Sequence, residues 1–295
     1  MTDYSCTLFY NEFDLLDVKI KEELAGGVTQ IIAVESSRTF QNTDKPLFLT
    51  ENKSRFPDVK IITVGPEFDK VTHEDRTIAC FQREAIQRNA GIRDLDLADN
   101  DVVIYADVDE IFPAEDIPWI VDAAQKHGIV HLIQRQFYYK LNLACDRVWY
   151  GPFAVLGGYL KAGLTLNRLR TMESIRIQTN GKHFSYLMSP EQIAQKLRSF
   201  SHHWFGTPEY TDVDLIQAKI NEGRDLFGRD YIKLSPVRMD GSFPASMRED
   251  MIRWEPYFVP GATLSLGDIP LEEISLLPVY FNEFNEKRYE EVNRL

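Results

Sequence analysis

Over its first 127 residues this chain alternates short β-branched runs with stretches of helical period, and that alternation limits the fold more than any other feature. Cys6 to Tyr10, Gln30 to Glu35, Val59 to Val64 and the run from Asp101 to Asp107 read as strands. Asn11 can cap a helix whose Leu16, Ile20 and Leu24 share one face before Gly26-Gly27 ends it. A second helix, from about Asp75 to Asn89, carries Ile78, Phe81 and Ala85 at helical spacing. Compact apolar runs of this kind are buried on both faces in parallel sheets. The pattern therefore predicts an α/β fold with an open, mostly parallel central sheet flanked by helices, whose ligands bind beyond the strands' carboxyl ends.

The fourth run, DVVIYADVDE from Asp101 to Glu110, crowds Asp107, Asp109 and Glu110 at that edge. Side chains alternate along a strand, so an extended segment places Asp107 and Asp109 on one face, where two negative charges repel unless a cation lies between them. Mg²⁺ or Mn²⁺ prefers oxygen ligands and commonly joins one or two carboxylates to a substrate's phosphates. Asp and Glu after a strand also serve as turn formers and caps, and Phe112-Pro113 suits a turn.

Composition narrows the partners. The 295 residues, 44% hydrophobic, can fill a core, and Lys plus Arg number 33 against 45 Asp plus Glu, a net charge of −12. That balance opposes a nucleic-acid partner and makes a phosphorylated ligand depend on a local cation. Cys6, Cys80 and Cys145 form no CxxC pair, which indicates neither zinc nor a disulfide framework and suits a reducing, cytoplasmic compartment. No run approaches the ~18 apolar residues of a membrane span.

A helix from Ala114 to His127 closes the nucleotide half, about residues 1–127. An aromatic stretch follows, with further strands at Val130 to Phe137 and Val148 to Leu156 extending the sheet into a mixed one. Aromatic faces suit sugar rings as well as a packed core, and Trp149 is the best exposed candidate. Ser189-Pro190-Glu191-Gln192 predicts a capping box opening a helix with Ile193, Leu197 and Phe200 inward, and another helix begins near Thr211. We expect a domain over 1–235, its acceptor half about 128–235, and an irregular extension over 236–295 packed on it, ending in the charged tail FNEFNEKRYEEVNRL.

Several segments in order resemble glycosyltransferase family 17 over about residues 8 to 230. They run from Phe9-Tyr10-Asn11-Glu12-Phe13-Asp14-Leu15-Leu16 through Val34-Glu35-Ser36-Ser37-Arg38-Thr39-Phe40, Lys45-Pro46-Leu47 and Phe81-Gln82-Arg83 to Asp107-Val108-Asp109-Glu110-Ile111. They resume at Gly181-Lys182-His183-Phe184-Ser185-Tyr186, Glu191, Lys196-Leu197, Ser199-Phe200-Ser201-His202 and Gly223-Arg224-Asp225. The resemblance implies a Rossmann-like GT-A fold that transfers a sugar from a UDP-sugar, with inversion and Mn²⁺ or Mg²⁺, to a glycan hydroxyl. GlcNAc is the sugar it suggests, with xylose, glucose or galactose open. One departure is Lys182, where the family usually has Trp, so donor or acceptor preference is expected to differ.

On that resemblance, Asp109 and Asp107 hold the metal, with Asp107 also a candidate for the ribose, and His202 is the third ligand, with His203 and His183 as rivals. Glu191 is the expected base. Asn11, Glu12 and Glu35 are candidates for the nucleoside and Arg83 for a donor phosphate, while Tyr139, Asn142, Trp149 and His183 face the acceptor. Two other functions compete: a Mg²⁺-dependent phosphohydrolase with Asp107 as nucleophile, and a silent sugar-binding protein that keeps the fold alone.

Overall fold

The computed structural model describes residues 1–271 and 291–292. The rest of the expected charged tail lies outside the described residues. The first half runs β1 (Asp3–Phe9), α1 (Phe13–Ala25), β2 (Gln30–Ser36), α2 (Phe48–Glu51), β3 (Val59–Val64), α3 (Arg76–Ala90) and β4 (Val102–Tyr105). Beyond it come β5 (Glu110–Ile111), α4 (Ile117–His127), β6 (Ile129–Tyr138), β7 (Leu143–Trp149), β8 (Phe153–Leu156), α5 (Gly157–Lys161) and α6 (Leu166–Leu169). Then follow β9 (Ile175–Ser185), α7 (Pro190–Ser199), α8 (Pro208–Thr211), α9 (Val213–Glu222), β10 (Leu234–Pro236), α10 (Ala245–Glu249) and α11 (Met251–Trp254).

The four early strands lie in the order β3-β2-β1-β4, all parallel. The chain winds outward from β1 through β2 to β3, then returns to place β4 on the other side of β1. That reversal is a topological switch point, and a crevice opens there beyond the carboxyl ends of β1 and β4. The second half makes the sheet mixed: β8 pairs antiparallel with β4, and β6 with both β7 and β8, while β9 runs parallel to β6.

Helices cover both faces. Leu15, Leu16 and Val18 of α1 and Ile117, Ile120 and Val121 of α4 pack on one side of the parallel strands. On the other, Ala90, Leu160, Leu166 and Leu169 join Ile32, Val34 and Val103. Fully burying each such aliphatic side chain contributes about 1.5–3 kcal/mol. Val237, Phe243, Met247, Trp254 and Ile269 enter the same cluster as α1, so residues after β10 are part of the main core.

Local differences from the sequence reading have physical causes. Glu12, not Asn11, is the N-cap of α1. The run Val148 to Leu156 is two strands because Pro152, which has no N–H, interrupts the ladder between β7 and β8. Asp212 caps α9 by accepting from the amides of Asp214 and Leu215, so the helix expected from near Thr211 starts at Val213, with the short α8 before it. The capping box at Ser189 and Gln192 forms as its spacing requires. Among the described residues no helix is long and apolar enough to cross a membrane.

Candidate active site

The chain leaves β4 at Tyr105 and turns at once. The Glu110 amide donates to the Asp107 carbonyl at 2.9 Å, and the Asp107 amide donates to Oε2 of Glu110 at 2.6 Å. Asp107 and Asp109 therefore stand on a doubly closed turn, not on alternate positions of a strand. The Asp107 side chain keeps 28% exposure, and that of Asp109 11%.

Each carboxylate already has a cation. Asp107 accepts from the Tyr105 hydroxyl at 2.7 Å on Oδ1 and from Nη2 of Arg170 at 2.6 Å on Oδ2. Burial by itself would raise the Asp107 carboxyl, but Arg170, Arg88 and the Tyr105 hydroxyl outweigh it and hold it at about 2. Asp109 accepts from the ammonium of Lys196 at 3.2 Å, and Glu12 stands 3.3 Å from the same ammonium. Burial pulls Lys196 down, yet these two carboxylates leave it above its ordinary range.

These groups open into a cavity of about 440 Å³ at the switch point, within the usual size of a small-molecule site. Tyr10, Glu12, Arg38, Phe40 and Lys45 line it from the ends of β1 and β2, and Gln87 and Arg88 from α3. Gln136 and Tyr138, Arg147 and Trp149, and His183 and Ser185 form a floor from β6, β7 and β9. Seven Lys or Arg side chains line the cavity against four carboxylates, so this acidic protein gathers cations where its strands end. The net charge of −12 gave no sign of that local excess.

The expected site residues divide. Asp107, Asp109, Glu12, Trp149, His183 and His202 line the cavity. Trp149 donates to Oε1 of Glu110, and its ring lies 4.7 Å from that of His183, whose Nε2 is 3.7 Å from Asp109. Burial pushes His183 down, against the pull of Asp109 and Glu110.

His202, expected as the third metal ligand, lies in an aromatic box. Its ring is boxed by Phe81 at 5.0 Å, Phe200 at 5.3 Å and Trp204 at 5.0 Å, and burial lowers it to about 4. Among the described residues no group of three or more His, Cys, Asp or Glu is arranged to hold a metal ion.

Six more are engaged elsewhere or lie outside the lining. Glu35 spends its carboxylate on the amides of Leu49 and Thr50 at 2.8 and 3.0 Å, capping α2. Asn142 is fully buried, bridging the carbonyls of Val237 and Val259 at 2.9 Å each. Tyr139 is buried and donates its hydroxyl to the Arg224 carbonyl. Arg83 donates to the Phe40 carbonyl at 2.9 Å from within α3. Asn11 gives its amide to Glu12 at 3.0 Å. Glu191 is exposed and accepts from Ser189 at 2.7 Å in the first turn of α7, where its charge suits the helix dipole.

Sequence reasoning missed Arg170, Tyr105, Arg88 and Lys196 as site residues. Tyr105 faces the cavity's turn because it is the last residue of β4. Lys196 lies five residues after Glu191 on the same helix, turned inward. Nothing in local spacing marks Arg170, brought in from the end of α6 across sixty residues.

The sequence profile of glycosyltransferase family 17 matches residues 3–231. Among curated proteins no sequence matches significantly. Similar solved structures include Mycobacterium tuberculosis Rv0371c with manganese, at 12% identity and TM-score 0.35 over 61% of this chain and 89% of that one. Staphylococcus aureus TarS 1–349 with UDP is similar at 10% identity and TM-score 0.38, over 75% and 71%. The Pyrobaculum calidifontis mannosyltransferase PcManGT with GDP-Man and Mn²⁺ is similar at 10% identity and TM-score 0.38, over 74% and 69%. These three likenesses are distant, whereas the family profile covers most of the chain. The chain belongs to glycosyltransferase family 17 and is an enzyme of the glycosyltransferase class.

Proposed function

We propose that this enzyme moves a sugar from a UDP-sugar to a hydroxyl of a glycan acceptor, with inversion and with the help of Mn²⁺ or Mg²⁺. The observation that carries the reading is the pair Asp107 and Asp109, fixed on one turn at the switch point and opening into a cation-lined cavity. Family membership supplies the transfer chemistry, and the resemblance suggests UDP-GlcNAc as donor.

The donor set suits such an ion. Mg²⁺ and Mn²⁺ favour carboxylate oxygens, and Mg²⁺ is usually held by one or two carboxylates plus substrate phosphates rather than by an all-protein cage. The two carboxylates of Asp107 and Asp109, both lining the cavity, suit that arrangement. Asp109 and Asp107 would hold the ion, which when bound supplies Lewis-acid neutralisation of the leaving diphosphate.

The protein's own groups do the rest. Tyr10 and Phe40 offer aromatic faces to the nucleoside, with Lys45 5.3 Å from the Tyr10 ring. Trp149 presents its ring to the acceptor sugar, and the Glu110 carboxylate fixes the indole through Nε1. His183, kept neutral by burial and 3.2 Å from the Ser185 hydroxyl at Nε2, takes the proton of the attacking hydroxyl.

A panel of UDP- and GDP-sugars, each incubated with Mn²⁺ or with chelator, tests the reading. Metal-dependent slow hydrolysis of one UDP-sugar, faster with a glycan acceptor, is expected. No hydrolysis with any donor, and no rise in melting temperature with UDP plus Mn²⁺, would overturn it.

A further inference from the structure

Arg170 is the cation most tightly built into the site. Its Nη2 donates to Asp107 at 2.6 Å and to Oε1 of Glu110 at 2.7 Å, and its Nη1 donates to Oε2 of Glu110 at 3.2 Å. The rings of Tyr105 and Trp149 lie 5.4 and 5.8 Å from its Cζ, fixing the guanidinium plane. Gly151 closes the remaining side, where a Cβ would stand 2.8 Å from Nη2.

The two carboxylates are not equivalent. Glu110 is wholly buried and also holds Trp149 and the Asp107 amide, so its bond to Arg170 is structural. Asp107 is partly exposed and belongs to the pair that a divalent ion would use. Arg170 therefore already sits on a carboxylate that the ion needs. The two cations compete for Asp107 until an anion with charge enough for both arrives. A nucleoside diphosphate is such an anion, and the planar fork of Arg matches phosphate oxygens better than a point charge does. Three of the five guanidinium N–H groups are used in the bonds above, and Arg170 lines the cavity.

We propose that Arg170 is a diphosphate-binding residue held in reserve by Asp107: it keeps Glu110 and exchanges its bond to Asp107 for a phosphate oxygen when metal and nucleoside diphosphate enter. The inference rests on the glycosyltransferase reading. It gives metal and nucleotide a shared linkage, each releasing the partner the other needs.

Calorimetric titration tests it on the full chain with Mn²⁺ alone, UDP alone, UMP alone, and UDP with Mn²⁺. Arg170→Lys keeps a charge beside Glu110 but loses the fork. It should weaken UDP about tenfold, the value of one charge-assisted hydrogen bond, and change UMP little. The same variant should bind Mn²⁺ alone at least as tightly as the natural protein, because the competitor is weaker. Asp107→Asn reads the exchange from the other side: Mn²⁺ binding falls while metal-free UDP binding holds or tightens.

Opposite signs for metal and diphosphate are what a merely structural Arg170 would not give. Weakening of both together in Arg170→Lys, or unchanged UDP affinity, overturns the proposal. A natural protein that does not bind UDP with Mn²⁺ would instead overturn the metal-dependent UDP-sugar reading beneath it.

Discussion

The buried ammonium of Lys19 donates to the carbonyl oxygen of Glu110 at 3.1 Å, tying α1 to the acidic turn from behind. Glu23 pairs with that ammonium at 2.9 Å and also accepts from the Ser5 hydroxyl. Both charged side chains are almost wholly excluded from water. Lys19→Met leaves Glu23 buried without its counter-ion, and breaking such a pair costs about 3–5 kcal/mol. Chemical denaturation should register that loss. A double variant, Lys19→Met with Glu23→Leu, should recover most of it, because a well-packed apolar pair replaces a desolvated ionic one. A single variant as stable as the natural protein would mean that the pair does not support the turn.

Gly151 is required by close approach rather than by its backbone angles. An added Cβ would stand 2.8 Å from both Nη2 of Arg170 and Nε1 of Trp149. Neither group yields easily, since both are bonded to Glu110. Gly151→Ala should therefore displace the guanidinium and the indole together, with overpacking strain of about 1–3 kcal/mol. Donor hydrolysis should fall by roughly tenfold or more at the upper end of that strain. Intrinsic tryptophan fluorescence, to which Trp149 is one of four contributors, should shift in parallel. Unchanged kinetics would show that the Arg170 position is not under this constraint.

The parallel half of the sheet was legible because each early strand is a short β-branched run and each helix has its own period and boundary signal. Asp75 caps α3 through the amides of Thr77 and Ile78, and the capping box of α7 is complete. Asp107 and Asp109 were legible as a pair because their spacing is local. Arg170 was not, because its place depends on how α6 folds back upon the β4 turn. Glu35, Tyr139 and Asn142 misled for a related reason: a polar group at a strand end serves either a ligand or an unpaired backbone group, and only tertiary structure decides. Here Leu49, Arg224, Val237 and Val259 supplied those backbone partners.

Lys182, the departure from the family pattern, lies next to His183 on β9 and so points to the opposite face. Its ammonium is buried, donating to the carbonyls of Asn180 at 2.5 Å and Ser242 at 2.8 Å, and lies 5.0 Å from the Phe243 ring. It anchors the segment after β10, so the expected change in donor or acceptor preference has no support in its position. Burial lowers Lys182 to about 8, against the pull of Asp240 and Asp116. The unfolded chain keeps its proton up to about 10.4 and thus binds more protons between those two values. Stability from this group therefore rises with pH across that window and is flat below about 8. In Lys182→Met the rise should shrink relative to the natural protein by roughly 3 kcal/mol, measured by urea denaturation from pH 7.5 to 10.5. Turnover should stay within about twofold, since surface or anchoring changes away from a site leave transition-state contacts intact.

Glu191 and Asp109, both marked by the sequence, part company in the structure: Asp109 lines the cavity and Glu191 does not. Glu191 stands exposed in the first turn of α7, its carboxylate accepting from Ser189 and favoured there by the helix dipole. Asp109 faces the cavity with Lys196 and His183 beside it. A base must come within hydrogen-bond reach of the proton it removes, and Glu191 does not line the cavity. Glu191→Gln should therefore leave kcat within about twofold, because only its bond from Ser189 and its contact with the helix dipole are altered. Asp109→Asn should lower kcat by about a hundredfold or more, since it removes charge from the group that would meet the metal and diphosphate. Both variants should fold, and circular dichroism melting checks that they do. Should Glu191→Gln instead lose activity while Asp109→Asn keeps it, the proton would leave from the rim of α7, and the acceptor would have to lie across the outer mouth of the cavity rather than on Trp149.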